Sequence, residues 1–131
     1  MKEIALGTKA DALVDVDESR LASTVGSGSL PVFATPMMVA LMEQAACAAI
    51  EPALEAGETS VGTALNILHT AATPKGMEAH AVAEVTEVNG RELTFHVVAY
   101  DRCGKIGEGM HKRVVVHADR FMEKTNAKKL K

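Results

Sequence analysis

Residues 35–54 read TPMMVALMEQAACAAIEPAL, and the fold turns on how this stretch is read. Threonine followed by proline is a helix start. A threonine N-cap accepts a hydrogen bond from an otherwise orphaned backbone N–H, and proline at the first helical position forfeits no needed donor. From Met37 to Ile50 every residue except Glu43 and Gln44 is apolar. No polar face can be drawn on such a helix, so it belongs inside the protein. It is too short and too interrupted to span a bilayer. Pro52 closes or kinks its last turn, and Gly57 suits a left-handed C-cap near Ala56–Gly57.

Outward from the helix, a chain of 131 residues is one domain. Aromatic residues make up 3%, with seven Met and no Trp, so the core is built from Ala, Val, Leu and Met. A net charge of −3 gives no general attraction to nucleic acid or to an anionic membrane. Cys47 and Cys103 lack metal-ligand spacing, and the N-terminus MKEIALGTKADA has no signal-peptide core. A reducing, cytoplasmic setting is expected. Residues 1–124 are read as the domain and 125–131, with Lys128, Lys129 and Lys131, as a solvated charged tail.

Before the helix, Ala10, Ala12, Val14 and Val16 alternate with Asp11, Leu13, Asp15 and Asp17, as a half-buried strand does. Leu21–Val25 is expected to resume that strand after a kink, and Gly26–Ser29 is a loop. After the helix, Thr59–Thr70 reads as a strand and Pro74-Lys75-Gly76 as its turn. Met77, Ala79, Ala81, Ala83 and Val85 form one apolar face, and Leu93, Phe95, Val97 and Ala99 another. A three-residue loop Val88-Asn89-Gly90 aligns those faces and sets Glu87 opposite Arg91. Lys105–His117 is the last strand, its inner face undetermined. The order is a strand, a buried helix and four strands in a meander, an α+β arrangement. A sheet covers one side of the helix only. A second subunit is the natural cover for the other, giving a homodimer or a dimer of dimers.

Three side chains in this frame suit chemistry. The Thr35 hydroxyl lies at a helix N-terminus, where an oxyanion is stabilised, but it needs a base to act as a nucleophile. His69 closes an apolar strand and is such a base if something orients it. Glu43, a carboxylate on a core helix, needs a partner, and pairing with His69 satisfies both. A plain cap and a plain edge histidine remain open alternatives for Thr35 and His69. Eight residues separate Thr35 from Glu43, ~12 Å along the axis, so they do not touch. They act together only through a substrate or long side chain, or across subunits. His80 and His96 point to the outer sheet face without a third ligand, and no metal site is expected.

The run Ala34-Thr35-Pro36-Met37-Met38-Val39-Ala40-Leu41-Met42-Glu43, then Val61-Gly62-Thr63, then His69-Thr70-Ala71-Ala72-Thr73-Pro74-Lys75-Gly76, resembles the fluoroacetyl-CoA thioesterase-like family of hot-dog proteins. The resemblance covers roughly residues 5–124. It implies a hot-dog fold, with one central helix wrapped by an antiparallel sheet of about five strands, and a dimer with acyl-CoA sites near the subunit interface. It implies that Thr35, Glu43 and His69 form the hydrolytic set, and that Gly62 and Pro36 line the substrate site. The expected activity is hydrolysis of a small or medium acyl-CoA thioester. No cofactor is expected, because coenzyme A is part of the substrate. The loop Gly26–Leu30 carries no aromatic residue able to close over a tiny acyl group. A non-catalytic module that only holds acyl-CoA is the alternative.

Overall fold

The computed structural model describes all of residues 1–131. Strand β1 is Lys9–Asp15. The chain then makes a 3-10 turn at Glu18–Arg20 and one helical turn, α1 (Ala22–Val25), where a resumed strand was expected. Asp17 caps the first turn through the Ser19 N–H, and Gly26 at φ 83° closes the second. These local hydrogen bonds compete successfully with a strand. The central helix α2 spans Thr35–Ile50 and ends in a 3-10 turn, Glu51–Ala53, built around Pro52. It therefore stops earlier than Ala56–Gly57. Strands β2 (Glu58–His69), β3 (Glu78–Asn89), β4 (Glu92–Asp101) and β5 (Gly104–His117) follow.

The sheet order is β1-β3-β4-β5-β2, antiparallel throughout. Only β3, β4 and β5 form a meander. β2 crosses to the far edge beside β5, so it is not a meander neighbour of β3. Gly107 and Gly109 make the β5–β2 approach tight: a Cβ on Gly109 would run into the Asn66 carbonyl oxygen, and one on Gly107 into Met38. The β3–β4 loop is also tighter than expected. Asn89 pairs with Glu92, leaving Gly90 (φ 64°) and Arg91 as the turn. A bulge between Val85 and Glu87 then brings Val85 opposite Phe95, so the apolar faces still coincide. His80 is thus opposite Tyr100, with the rings stacked at 5.0 Å, and His96 is opposite Glu84.

Helix α2 packs chiefly on β1 and β3. Ala79, Ala81 and Ala83 face Ala45, Ala46 and Ala49 across that contact, all within one buried cluster. Small residues on both surfaces bring helix and sheet close together, while Phe33, Phe95, Met38 and Met42 fill the remaining volume. Truncating a fully buried methionine such as Met42 to Ala costs about 2–5 kcal/mol. The opposite side of α2 has no layer above it. Pro36, Val39, Ala40, Glu43 and Cys47 are exposed or half-buried there. No helix of the chain is long and apolar enough to cross a membrane. Ala118–Asn126 forms α3, continued by a 3-10 turn over Ala127–Leu130, and residues 125–131 are exposed throughout.

Candidate active site

Ala34, in extended backbone, is the N-cap of α2, and Thr35 is the first helical residue with no capping role. Pro36 follows it at the second position. The threonine hydroxyl is engaged elsewhere: Oγ1 lies 2.7 Å from Nδ1 of His69. Two sets of contacts hold these residues in register. Ala34 N–H donates to the Arg20 carbonyl and Phe33 N–H to the Thr73 carbonyl, each at 2.8–2.9 Å. Thr70 N–H donates to the Ile106 carbonyl at 2.7 Å, fixing the chain just after His69. The turn beyond His69 is anchored by a fully buried Thr73, whose hydroxyl donates to Asp101 at 2.8 Å. Asp101 accepts in addition from the Cys103 N–H at 2.8 Å. A buried threonine–carboxylate bond at a strand end is a rigid fixture.

The pair opens on a cavity of about 270 Å³ walled by Ala22, Ser27, Val32, Phe33 and the Thr70–Ala72 backbone turn. Burial lowers the His69 pKa from the ordinary histidine value, with the Ala71 backbone opposing. The imidazole is therefore neutral at neutral pH and free to accept the hydroxyl proton on Nδ1. Its Nε2 is buried without a hydrogen-bond partner.

Glu43 is not at this pair. It lies farther along α2, too far for the Glu43–His69 pairing that carboxylate and base chemistry suggested. Its partner is Arg113, whose Nη1 donates to Oε2 at 3.0 Å. Arg113 is 6% exposed and donates also to the Ser60 hydroxyl (2.9 Å) and the Ser60 carbonyl (3.1 Å). A third residue completes the cluster. His111 has Nδ1 at 2.9 Å from the Ala64 carbonyl, so that nitrogen carries the proton, and Nε2 accepts from Arg113 Nη1 at 3.1 Å. Burial lowers the His111 pKa and the neighbouring guanidinium lowers it further, against the Ala64 carbonyl and Glu43. His111 is thus a neutral spacer between Arg113 and β2.

Gly62 makes room for this cluster. A Cβ there would sit 2.6 Å from Glu43 Oε2, 3.2 Å from His111 Cε1 and 3.3 Å from Arg113 Nη1. A second cavity, about 250 Å³, lies against Glu43, Gly62, Leu65 and His111. The chain thus carries two separate polar clusters: Thr35 and His69 at one end of β2, Glu43, Gly62 and Arg113 toward the other. Arg113 and His111 escape a sequence reading, because the mixed pattern of β5 does not reveal its inner face. The one available signal was the demand of Glu43 for a cation. No group of three or more His, Cys, Asp or Glu side chains converges as a metal site would require.

A family model for the fluoroacetyl-CoA-specific thioesterase matches residues 16–119. The fluoroacetyl-CoA thioesterase of Streptantibioticus cattleyicolor is 47% identical over 97 residues, covering 74% of this chain and 70% of that one. The solved structure of the fluoroacetyl-CoA thioesterase FlK matches with a TM-score of 0.91 at 37% identity, over 97% of this chain and 98% of that chain. A thioesterase superfamily member from Thermus thermophilus matches at 0.90 and 29%, over 98% and 96%. With its one long central helix, five-stranded sheet and threonine–histidine pair, the chain belongs to the fluoroacetyl-CoA-specific thioesterase family of hot-dog proteins and is an acyl-CoA thioester hydrolase.

Proposed function

We propose that the protein works as a homodimer hydrolysing small or medium acyl-CoA thioesters, with Thr35 and His69 of one protomer facing Glu43 and Arg113 of the other. The observation that carries the chemistry is the 2.7 Å contact from Thr35 Oγ1 to a neutral, half-buried His69 beside a cavity. His69 takes the hydroxyl proton as Thr35 Oγ1 adds to the thioester carbonyl. The tetrahedral oxyanion forms at the N-terminus of α2, where the helix dipole favours negative charge. The C–S bond then breaks, and the thiolate of coenzyme A leaves with the proton from His69. A water molecule, deprotonated by His69, cleaves the resulting acyl-threonine and releases the carboxylic acid. The steps draw on side chains and water alone.

Support for the dimer comes from two unfinished surfaces. β2 is an edge strand of 12 residues, and Gly62–Asn66 are exposed in an unbroken run. Such an edge is a template for pairing with another strand. Antiparallel self-pairing centred on Ala64 and Leu65 sets the partner's His69 near Ser60 and Val61, beside Glu43. It also brings the uncovered apolar side of α2 over to the other protomer. In that assembly Glu43, held in place by Arg113 Nη1 at 3.0 Å, faces the reacting centre and orients the attacking water. The small side chains of Gly26–Ser29 and Ala22 leave space at the cavity for an acyl group larger than two carbons. Both cysteines are free, which suits a reducing cytoplasmic setting.

The test is thiol release from a panel of acyl-CoAs of increasing chain length, by the purified protein and by His69→Ala. Turnover with the wild type and its loss in the variant is expected. Tight binding of acyl-CoA without thiol release by either protein would make the chain a binding module.

A further inference from the structure

We infer that a cationic recess formed by Arg91, His117 and Arg120 is the seat of the phosphate-bearing nucleotide end of the substrate, an inference that rests on the acyl-CoA reading above. The recess, about 460 Å³, lies where the start of β2, the end of β5 and the β3–β4 turn meet. Glu58, Arg91, His117 and Arg120 line it, with no apolar side chain among them. A chain of net charge −3 has no general tendency to gather cations at one place.

The recess is built, and its one acid is already occupied. Glu58 is 2.5 Å from Arg91 Nη2 and 3.0 Å from the Met1 backbone nitrogen. Arg91 is held a second time, Nε donating to the Val115 carbonyl at 3.0 Å. Two contacts orient its guanidinium and leave Nη1 without a partner. Arg120 makes no hydrogen bond or ion pair with any side chain of the protein. It projects from the first turn of α3, a nine-residue helix capped by His117, where only the Ala118 N–H among the first donors is satisfied, by Gly57 at 2.8 Å. Asp119 in the same turn works against an anion. Two guanidiniums and a helix N-terminus outweigh it, because arginine matches phosphate oxygens with paired, charge-assisted donors.

Position supports the same ligand. The recess begins at Glu58, four residues before Gly62, roughly 13 Å along β2. In the proposed dimer this run of β2 lies beside the partner's Thr70–Ala72 turn, which walls the acyl cavity. A thioester bound there extends its long pantetheine arm out of the cavity along this edge. The charged end then meets Arg91 and Arg120. Coenzyme A carries a 5′-diphosphate and a 3′-phosphate at that end, a demand that no other surface cavity of the chain meets with two arginines.

The decisive experiment is calorimetric binding of adenosine 3′,5′-bisphosphate to the wild type, Arg120→Gln and Arg120→Glu. Binding to the wild type, at least 10-fold weaker in Arg120→Gln and lost in Arg120→Glu, is expected. No binding to the wild type, or equal binding to all three, overturns the assignment. Circular dichroism on each variant verifies the fold, and Arg120 is exposed. Kinetics provide a second reading. Arg120→Gln should raise KM for acyl-CoA about 10-fold with kcat kept, and leave hydrolysis of the matching acyl-N-acetylcysteamine thioester, which has no nucleotide, unchanged. An equal loss on both substrates also overturns it. Bisphosphate binding without hydrolysis of any thioester would leave the recess standing and count against the catalytic reading alone.

Discussion

Thr35 Oγ1 stands 2.7 Å from His69 Nδ1, the hydroxyl of the first residue of a buried helix meeting the last residue of an edge strand. Because Ala34 caps the helix, the Thr35 hydroxyl contributes nothing to helix stability. Thr35→Ala should therefore unfold at nearly the wild-type temperature while losing turnover, and Thr35→Ser should keep much of it. His69→Ala should lower kcat about 10²- to 10⁴-fold, the usual range for a general base. Rates of thiol release with matched melting curves decide this. Variants losing activity only in proportion to fold would make the contact structural.

The acid limb of the rate–pH profile should reflect the same histidine. Burial lowers the His69 pKa, so the neutral, proton-accepting form persists below the ordinary value of about 6.5. The rise of kcat/KM with pH should accordingly have its midpoint below that value. A limb centred well above it would assign the base to another group.

Stability should respond to acid in the corresponding sense. His69 and His111 both have pKa values lowered in the folded protein, chiefly by burial. The unfolded chain then binds more protons than the folded one once pH drops below about 6.5, and folding free energy falls. The contribution is complete above the unfolded value and is lost progressively as pH descends through the folded values. Thermal unfolding at pH 5 should occur below that at pH 7.5. Replacing His111 by Asn should shrink the difference.

Gly62 tests the Glu43–Arg113 cluster without touching the Thr35–His69 pair. An added Cβ falls 2.6 Å from a Glu43 oxygen, so Gly62→Ala must push the carboxylate aside and disturb Arg113. Turnover should fall at least 10-fold while the Thr35–His69 contact persists. Arg113→Met is the sharper lesion. It strands Glu43 and removes the donor to Ser60 and His111, at a cost of about 1–3 kcal/mol because Glu43 remains partly exposed. Chemical denaturation measures that cost.

Much of this architecture is legible in the residues themselves. The apolar run Met37–Ile50 specifies a buried helix, and the alternation in Ala79–Val85 and Leu93–Ala99 specifies two faces of one sheet. What failed was set by single residues or by distant partners. The Thr86 bulge moves the β3–β4 register by local backbone geometry that alternation cannot sense. The place of β2 beside β5 depends on Gly107 and Gly109, whose meaning appears only when the Asn66 carbonyl is opposite. The carboxylate on α2 announced that it needed a partner, but nothing local identified Arg113, 70 residues away. His69 was the nearest plausible candidate in chemistry and the wrong one in space within a protomer.

That separation gives the strongest prediction. If each active site takes Thr35 and His69 from one protomer and Glu43 from the other, two inactive variants complement one another. In a mixed dimer of His69→Ala with Glu43→Gln, one site holds both lesions and the other holds none. If each protomer carried a complete site, the same mixed dimer would have one lesion in every site and stay inactive. Mixing equal amounts under conditions that exchange subunits makes about half the dimers mixed, each with one intact site of two, so activity should recover to about one quarter of wild type. Light scattering should first show a dimer for each protein, and Leu65→Asp, at the centre of the exposed edge, should give monomers and no turnover. A mixture no more active than its parents, with exchange verified by native mass spectrometry, would rule out the shared site and place all of the chemistry at the Thr35–His69 end of β2.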